Sequence, residues 1–219
     1  MPVSSLTRFT VPLTTDQSSS NQGLLMPKLK YRFRVTLDNF GVAGTPTTEL
    51  TKQVMNVTRP ELSFEEIKLH VYNSTVKMAG KHSFTAAKLT LRDDVTNAVT
   101  QKVGEQLQKQ FDFFEQASAA SGIDYKFTMR VELLDGGNGA FTPTTLETFE
   151  YYGCYINQVT YQGGDYSSQS DPMDISLSIT YDNALQIDGS GNPTGLDTNV
   201  GRTVRSLALD RERELGLGR

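Results

Sequence analysis

From Lys30 onward the chain alternates. Tyr31, Phe33, Val35 and Leu37 are separated by Arg32, Arg34 and Thr36, the period of two that marks a half-buried strand. The alternation returns at Ile67, Leu69 and Val71 against Lys68 and His70, then in Val76 and Met78. It recurs through Leu89 and Leu91 in residues 84–92, from Tyr125 to Leu133, and along the aromatic stretch 148–161. The last run sets Ile175, Leu177, Ile179 and Tyr181 against Asp174, Ser176, Ser178, Thr180 and Asp182. Breaks separate the runs: residues 39–48 with Gly41, Gly44 and Pro46, Pro60 after 54–58, residues 135–139, and Gly163-Gly164-Asp165. These residue types favour turns or cannot donate into a ladder.

One stretch has a different period. Val95, Val99, Val103, Leu107 and Phe111 recur every fourth residue, and Ala98 and Phe114 widen the stripe, which predicts one amphipathic helix. Asp93 and Asp94 stand before it as caps, and residues 118–122 end it;. Gly104 at its centre costs about 1 kcal/mol relative to alanine, which points to a close approach there.

The elements add up to a mainly β (α+β) fold, a β-sandwich or β-barrel with one packed α-helix. Residues 1–29, rich in Ser, Thr and Gln, read as an extended N-terminal arm. Residues 30–186 form the β domain. Residues 187–219 form a C-terminal arm, with a Gly/Pro linker at 189–195 and a short helix at 203–215.

Composition narrows the function. Hydrophobic residues make up 37% of the 219, and mean hydropathy is −0.38, so part of the chain is not core. The net charge of −4 and pI near 5.3 give no electrostatic reason to grip nucleic acid. Cys154, the single cysteine, excludes an internal disulfide and a multi-cysteine zinc site, and reads as a small apolar strand residue. Residues 1–17 lack a signal peptide's apolar run, and no stretch approaches the roughly 20 apolar residues of a membrane span. A soluble cytoplasmic product without a membrane anchor is expected.

No constellation for chemistry emerges. His70 and His82 belong to no metal-ligand spacing, and His70 falls on the polar side of its strand;. No nucleophile elbow occurs, and Gly189-Ser190-Gly191 lacks the Lys-Ser/Thr of a phosphate loop;. No catalytic, metal or cofactor site is expected, and no enzyme. Strong alternating strands must instead hide their edges or pair them with another copy.

The order of segments resembles the tail-tube proteins of contractile-tailed bacteriophages, which are related to secretion-system tube proteins. The likeness runs through Tyr31-Arg32-Phe33-Arg34-Val35-Thr36-Leu37, then Val57-Thr58-Arg59-Pro60-Glu61-Leu62 and the stretch from Val71 through Asn73 to Ala79-Gly80-Lys81. It continues in Leu89-Thr90-Leu91-Arg92-Asp93-Asp94 before the helix, Val131-Glu132-Leu133-Leu134-Asp135-Gly136, Tyr151-Tyr152-Gly153-Cys154-Tyr155-Ile156, and Ile175 to Asp182. Joint order and spacing carry it. The family's tryptophans are missing, and Phe113, Phe114, Tyr152 and Tyr155 can fill their places.

The resemblance implies a structural subunit whose hexameric rings stack into a hollow tube, their inner strands joined in one barrel. Its partners would be itself, a surrounding sheath, and baseplate and tail-terminator proteins. Double-stranded DNA would pass through without being held, in a virion assembled in the host cytoplasm. No cofactor is implied. A polar or acidic lining is expected, with Asp174, Ser176, Ser178 and Thr180 as lumen-facing candidates. The loop 39–51, with Asn39, Gly41, Gly44 and Thr48, would reach an adjacent subunit. Two alternatives stand: the tube of a secretion or extracellular contractile injection system, and a monomeric β-sandwich binding module using Tyr151, Tyr152, Tyr155 and Tyr161.

Overall fold

In the computed structural model the alternating runs become strands, and most point their apolar members to one side. The structure describes residues 27–42, 47–136, 142–168 and 171–189. Gly44, most of the N-terminal arm, the tip of the 135–139 turn, and the 189–195 linker and 203–215 helix past Gly189 lie outside them. Residues 27–32 belong to a separate unit, Met1–Arg32, with a turn in which Arg32 N–H donates to Leu29 O at 3.2 Å.

The larger unit runs β1 (Phe33–Asp38), α1 (Thr48–Gln53), β2 (Val54–Val57), β3 (Leu62–Val71), β4 (Ser74–Phe84), β5 (Ala87–Arg92), α2 (Ala98–Gln110), β6 (Phe111–Asp112), β7 (Ala117–Ser118), α3 (Gly122–Tyr125), β8 (Phe127–Leu134), β9 (Thr145–Tyr161), β10 (Asp174–Thr180) and β11 (Asn183–Asp188). Seven of the strands form one folded sheet in the order β1-β8-β9-β10-β5-β2, with β11 also on β9. The first part of β9 pairs with β8 and β11. Its last part pairs with β10. One strand therefore serves two antiparallel layers, β1-β8-β9-β11 and β9-β10-β5-β2. The fold is mainly β, as the alternation predicts.

Gly153 marks the passage between layers. Its φ is +67°, and a methyl group there would run into the Asp182 carboxylate, so only glycine fits. That carboxylate accepts from Lys126 Nζ at 2.6 Å. The core collects Val35 and Leu37 of β1, Met129 and Val131 of β8, Leu89 and Leu91 of β5, and Ile175, Leu177 and Ile179 of β10. Cys154 is buried in β9 as expected, and burial pushes its thiol up to about 12;.

The helix departs from the predicted stripe. Asp94 Oδ1 accepts from Ala98 N–H at 2.9 Å and so caps the helix, whereas Asp93 Oδ1 accepts instead from the Thr100 hydroxyl at 2.9 Å. Val95, however, precedes the first turn and is 101% exposed, and Phe114 lies past the last turn at 97%. Helical spacing aligns side chains only where the backbone is helical. The buried positions of α2 are Val99, Val103 and Gln106. Helix α1, which carries Leu50 into the core, has too few residues to show a period. The element expected to close at 118–122 ends at Gln110, and Tyr125 belongs to α3.

Gly104 also departs from expectation. No heavy atom lies within 4 Å of where its Cβ would sit, so no close approach requires glycine. Gly104→Ala is expected to stabilise the subunit by about 0.4–1 kcal/mol, a rise in Tm of a few degrees in thermal denaturation.

Candidate functional site

Strand β10 turns Ile175, Leu177 and Ile179 into the core, so Asp174, Ser176, Ser178 and Thr180 share the other face;. The register sets Arg92, Thr90 and Lys88 of β5 beside Asp174, Ser176 and Ser178. On the β9 side, Thr160, Gln158 and Tyr155 lie beside Ser176, Ser178 and Thr180. The four residues singled out from the sequence thus lie together on a polar face of hydroxyls and amides. Lys88 and Arg92 join Asp174 there, which periodicity alone could not reveal because it does not say which strand lies alongside.

Both edges of this layer are open among the described residues. Strand β2 pairs only with β5, and residues 155–161 of β9 pair only with β10. At Ile156 a side chain replaces the missing strand. Gln110 Nε2 donates to Ile156 O at 3.0 Å, and Gln110 Oε1 accepts from Ile156 N–H at 2.9 Å. Past Ile156 the edge is available for pairing, the exposed ladder that a sheet must cover or share.

The β2–β5 pair continues into a second ribbon. Thr58 N–H donates to Lys88 O at 3.0 Å, and Thr85 N–H to Glu61 O at 3.1 Å. Beyond them β3 and β4 form a sheet of their own. The extra residue of the register shift lies on β4, so along β3 the pairs Leu62/Phe84 and Phe64/His82 share a face with Lys68/Lys77 and His70/Thr75, while Ile67/Met78 and Leu69/Val76 share the other;. Glu66 pairs with Lys77 on the polar face at 3.0 Å, and His70 stands on the side its alternation predicts.

The apolar face of this hairpin is bare: Ile67 is 45% exposed, Leu69 47% and Met78 50%. At its base, ring contacts lead into the core, from Phe64 to His82 (6.3 Å), His82 to Phe84 (5.5 Å), Phe84 to Tyr181 (5.3 Å) and Tyr181 to Tyr151 (4.9 Å). The Tyr151 hydroxyl donates to Thr58 O at 2.8 Å, and burial pushes its pKa upward, so it stays a donor;. A two-stranded ribbon is marginal alone, and an apolar face of this length marks an interaction surface. Sequence reasoning found both strands but missed that they leave the main sheet. The short turn Tyr72-Asn73 between two alternating runs was the available signal.

The loop candidates lie elsewhere. Asn39 Nδ2 donates to Lys126 O at 3.0 Å, and Asn39 accepts from Lys109 Nζ at 3.1 Å. Gly41, at φ +70°, donates its N–H to Gln106 Oε1 at 2.8 Å. Phe40 between them is buried edge-on against Phe127. Asn39 and Gly41 are thereby tied to their own subunit, while Thr48 is exposed at the start of α1.

The outer face of the other layer is a network of pairs. Arg34 meets Glu132 at 2.5 Å and Arg130 meets Glu150 at 2.7 Å, and the Tyr152 hydroxyl donates to Glu150. Those hydrogen bonds, Tyr152 first and then Arg130, hold the Glu150 carboxyl below its usual range. The four tyrosines of the binding-module reading do not share a surface: Tyr151 is in the core, while Tyr152 and Tyr155 lie on the outer faces of different layers. Among the described residues no group of three His, Cys, Asp or Glu side chains could hold a metal ion.

No protein-family model and no curated protein sequence matches the chain. Solved structures do. A chain in the tube-terminating cap of the anti-feeding prophage superposes with a TM-score of 0.55 at 16% identity, covering 81% of this chain and 99% of that one. A chain in the baseplate of the same particle gives 0.53 at 12% identity, covering 76% and 99%. At such identities the likeness is one of fold, and the chain shares its fold with subunits of a contractile injection assembly.

Proposed function

We propose that the protein is the subunit of a hollow tube, in which copies join into hexameric rings and rings stack. The observation that carries this reading is the β9-β10-β5-β2 layer, open at both edges and polar on its outward face. The four residues 54–57 at one edge can be spanned by the five-residue open stretch 157–161 at the other. Pairing the β2 edge of each copy to the β9 edge of the next closes a barrel without leftover edges. Asp174, Ser176, Ser178 and Thr180 then face the bore. With Lys88 and Arg92 offset in part by Asp174, a lining otherwise made of hydroxyls and amides gives a polyanion few sites for counterion release. The role is structural and needs no catalytic group. A sheath would surround the tube, baseplate and terminator proteins would close its ends, and the 39–51 loop, with Thr48 exposed, would add a contact to the adjacent subunit.

We read the tube as that of a contractile phage tail, passing DNA. The anti-feeding prophage source of both similar chains supports a second reading, an injection-system tube with protein cargo. Capsid and terminase genes beside this one would decide for the phage, and their absence for the injection system. Assembly itself is tested by weighing particles as concentration rises. The expected species have six times the 24.2 kDa subunit mass and multiples of it. A lasting 24.2 kDa species at high concentration would refute the tube.

A further inference from the structure

Strand β9 changes partners along one of its sides. It is paired there with β8 as far as Cys154, which lies opposite Phe127 at the start of β8. The next rung on that side is Ile156, where the Gln110 amide stands in for a strand, donating to Ile156 O at 3.0 Å and accepting from Ile156 N–H at 2.9 Å. Gln110 closes α2, one turn after the buried Gln106. Beyond the clip, residues 157–161 pair only with β10. Gln162 N–H donates to Asp174 O at 3.2 Å, at the start of β10. Backbone groups alternate sides along a strand, so Val159 and Tyr161 turn theirs to the open side.

At the other edge of the layer, Thr58 N–H donates to Lys88 O at 3.0 Å, so Val57 turns its own groups outward. The strands of the β9-β10-β5-β2 layer alternate in direction. In a ring with rotational symmetry, β2 therefore meets the β9 of the next copy antiparallel. Val57 opposite Val159 gives the greatest overlap and sets Asn56 opposite Thr160 on the bore face. Alternation protects this register only in part. A slip of one residue would turn core-facing side chains outward, but a slip of a whole rung would not. The bulge of β9 opposite Ser178 and Ile179 leaves Ile156 on the core side together with Val159. A slipped Val57 would find an apolar neighbour there too. The opposite slip, to Tyr161, runs β2 past the end of β9.

We infer that Gln110 sets the register of the joint between copies: its amide fills the one rung through which the next copy's β2 could slip toward β8. This rests on the tube reading and deepens it by naming the residue that fixes how neighbours align. Strand number, stagger and diameter are linked in a closed barrel, so a slipped joint would also change the ring.

Disulfide trapping reads the register; the native Cys154 is buried. In the expected joint, Asn56→Cys and Thr160→Cys face each other as a non-hydrogen-bonded pair. Within one copy they lie three strand spacings apart, about 14 Å, beyond the reach of a disulfide. The double variant, assembled and then oxidised with copper(II)-phenanthroline, should give covalent oligomers that end at the hexamer on a non-reducing gel. In the slipped joint Asn56 would meet Gln158 instead. Asn56→Cys with Gln158→Cys should therefore cross-link about tenfold less while Gln110 is present. Adding Gln110→Ala should raise that yield about fivefold and lower the yield at 160. A residue that only held α2 to β9 would lower Tm without moving the cross-link. Equal yields at 158 and 160 with Gln110 in place would overturn the inference. So would particles whose cross-linking Gln110→Ala leaves unchanged. If no particle forms even from the unmodified chain, the tube reading fails and the register with it.

Discussion

Glutamate at Ile67 and Leu69 is expected to leave the subunit folded and to abolish assembly. Both side chains stand about half exposed on the hairpin, opposite Met78 and Val76, and touch no part of the main core. Surface substitutions of this kind change stability by about 0.5 kcal/mol or less. Between copies the balance is different. Covering the five half-exposed apolar side chains of that face, Ile67, Leu69, Val71, Val76 and Met78, contributes roughly 4–7 kcal/mol before the cost of association. Two carboxylates in that contact would remove part of this gain and add several kcal/mol of desolvation. Sedimentation should show only monomer, with the thermal transition unchanged. Tubes of normal length from the double variant would mean that the hairpin's apolar face is not buried between copies.

Gln106→Leu should produce the largest loss of monomer stability. Gln106 is fully buried on α2, donates from Nε2 to Tyr125 O at 2.7 Å, and accepts from Gly41 N–H at 2.8 Å. It holds the 39–41 segment and α3 to the helix. Leucine has nearly the same volume, so no large cavity opens, but a buried N–H and a carbonyl lose their partners at about 1–3 kcal/mol each. The sum, on the order of 2–6 kcal/mol, corresponds to a drop in Tm of roughly 5–20 °C in a chain of this size. A change below about 1 °C would mean that water replaces the amide in full.

These side chains mark how far the sequence could be read. Alternation located the core faces of β1, β8 and β10 correctly, because one side of each strand packs against a single interior. It also grouped Asp174, Ser176, Ser178 and Thr180 on one face, since a strand's period is invariant. Gln106 and Gln110 escaped notice because a hydrophobic pattern ranks glutamine as surface, whereas their amides satisfy backbone groups that no neighbouring strand reaches. Val95 and Phe114 were assigned to the helix because spacing continues past the point where the backbone stops being helical. The hairpin was legible as two strands, but its bare face was not. A strand paired within the main sheet and one projecting from it carry the same alternation, and only the register of β3 on β4 separates them. In the proposed tube the contacts lie at open edges and on the hairpin, which no motif marks.

The central claim is that the β9-β10-β5-β2 layers of successive copies join edge to edge around a bore. An electron cryo-microscopy reconstruction of the assembled protein measures this directly. Residues 54–57 of each copy should pair with 157–161 of its neighbour, and Ser176 and Ser178 should face the central channel. A ring in which that polar face points outward, or in which both edges stay unpaired, would contradict it.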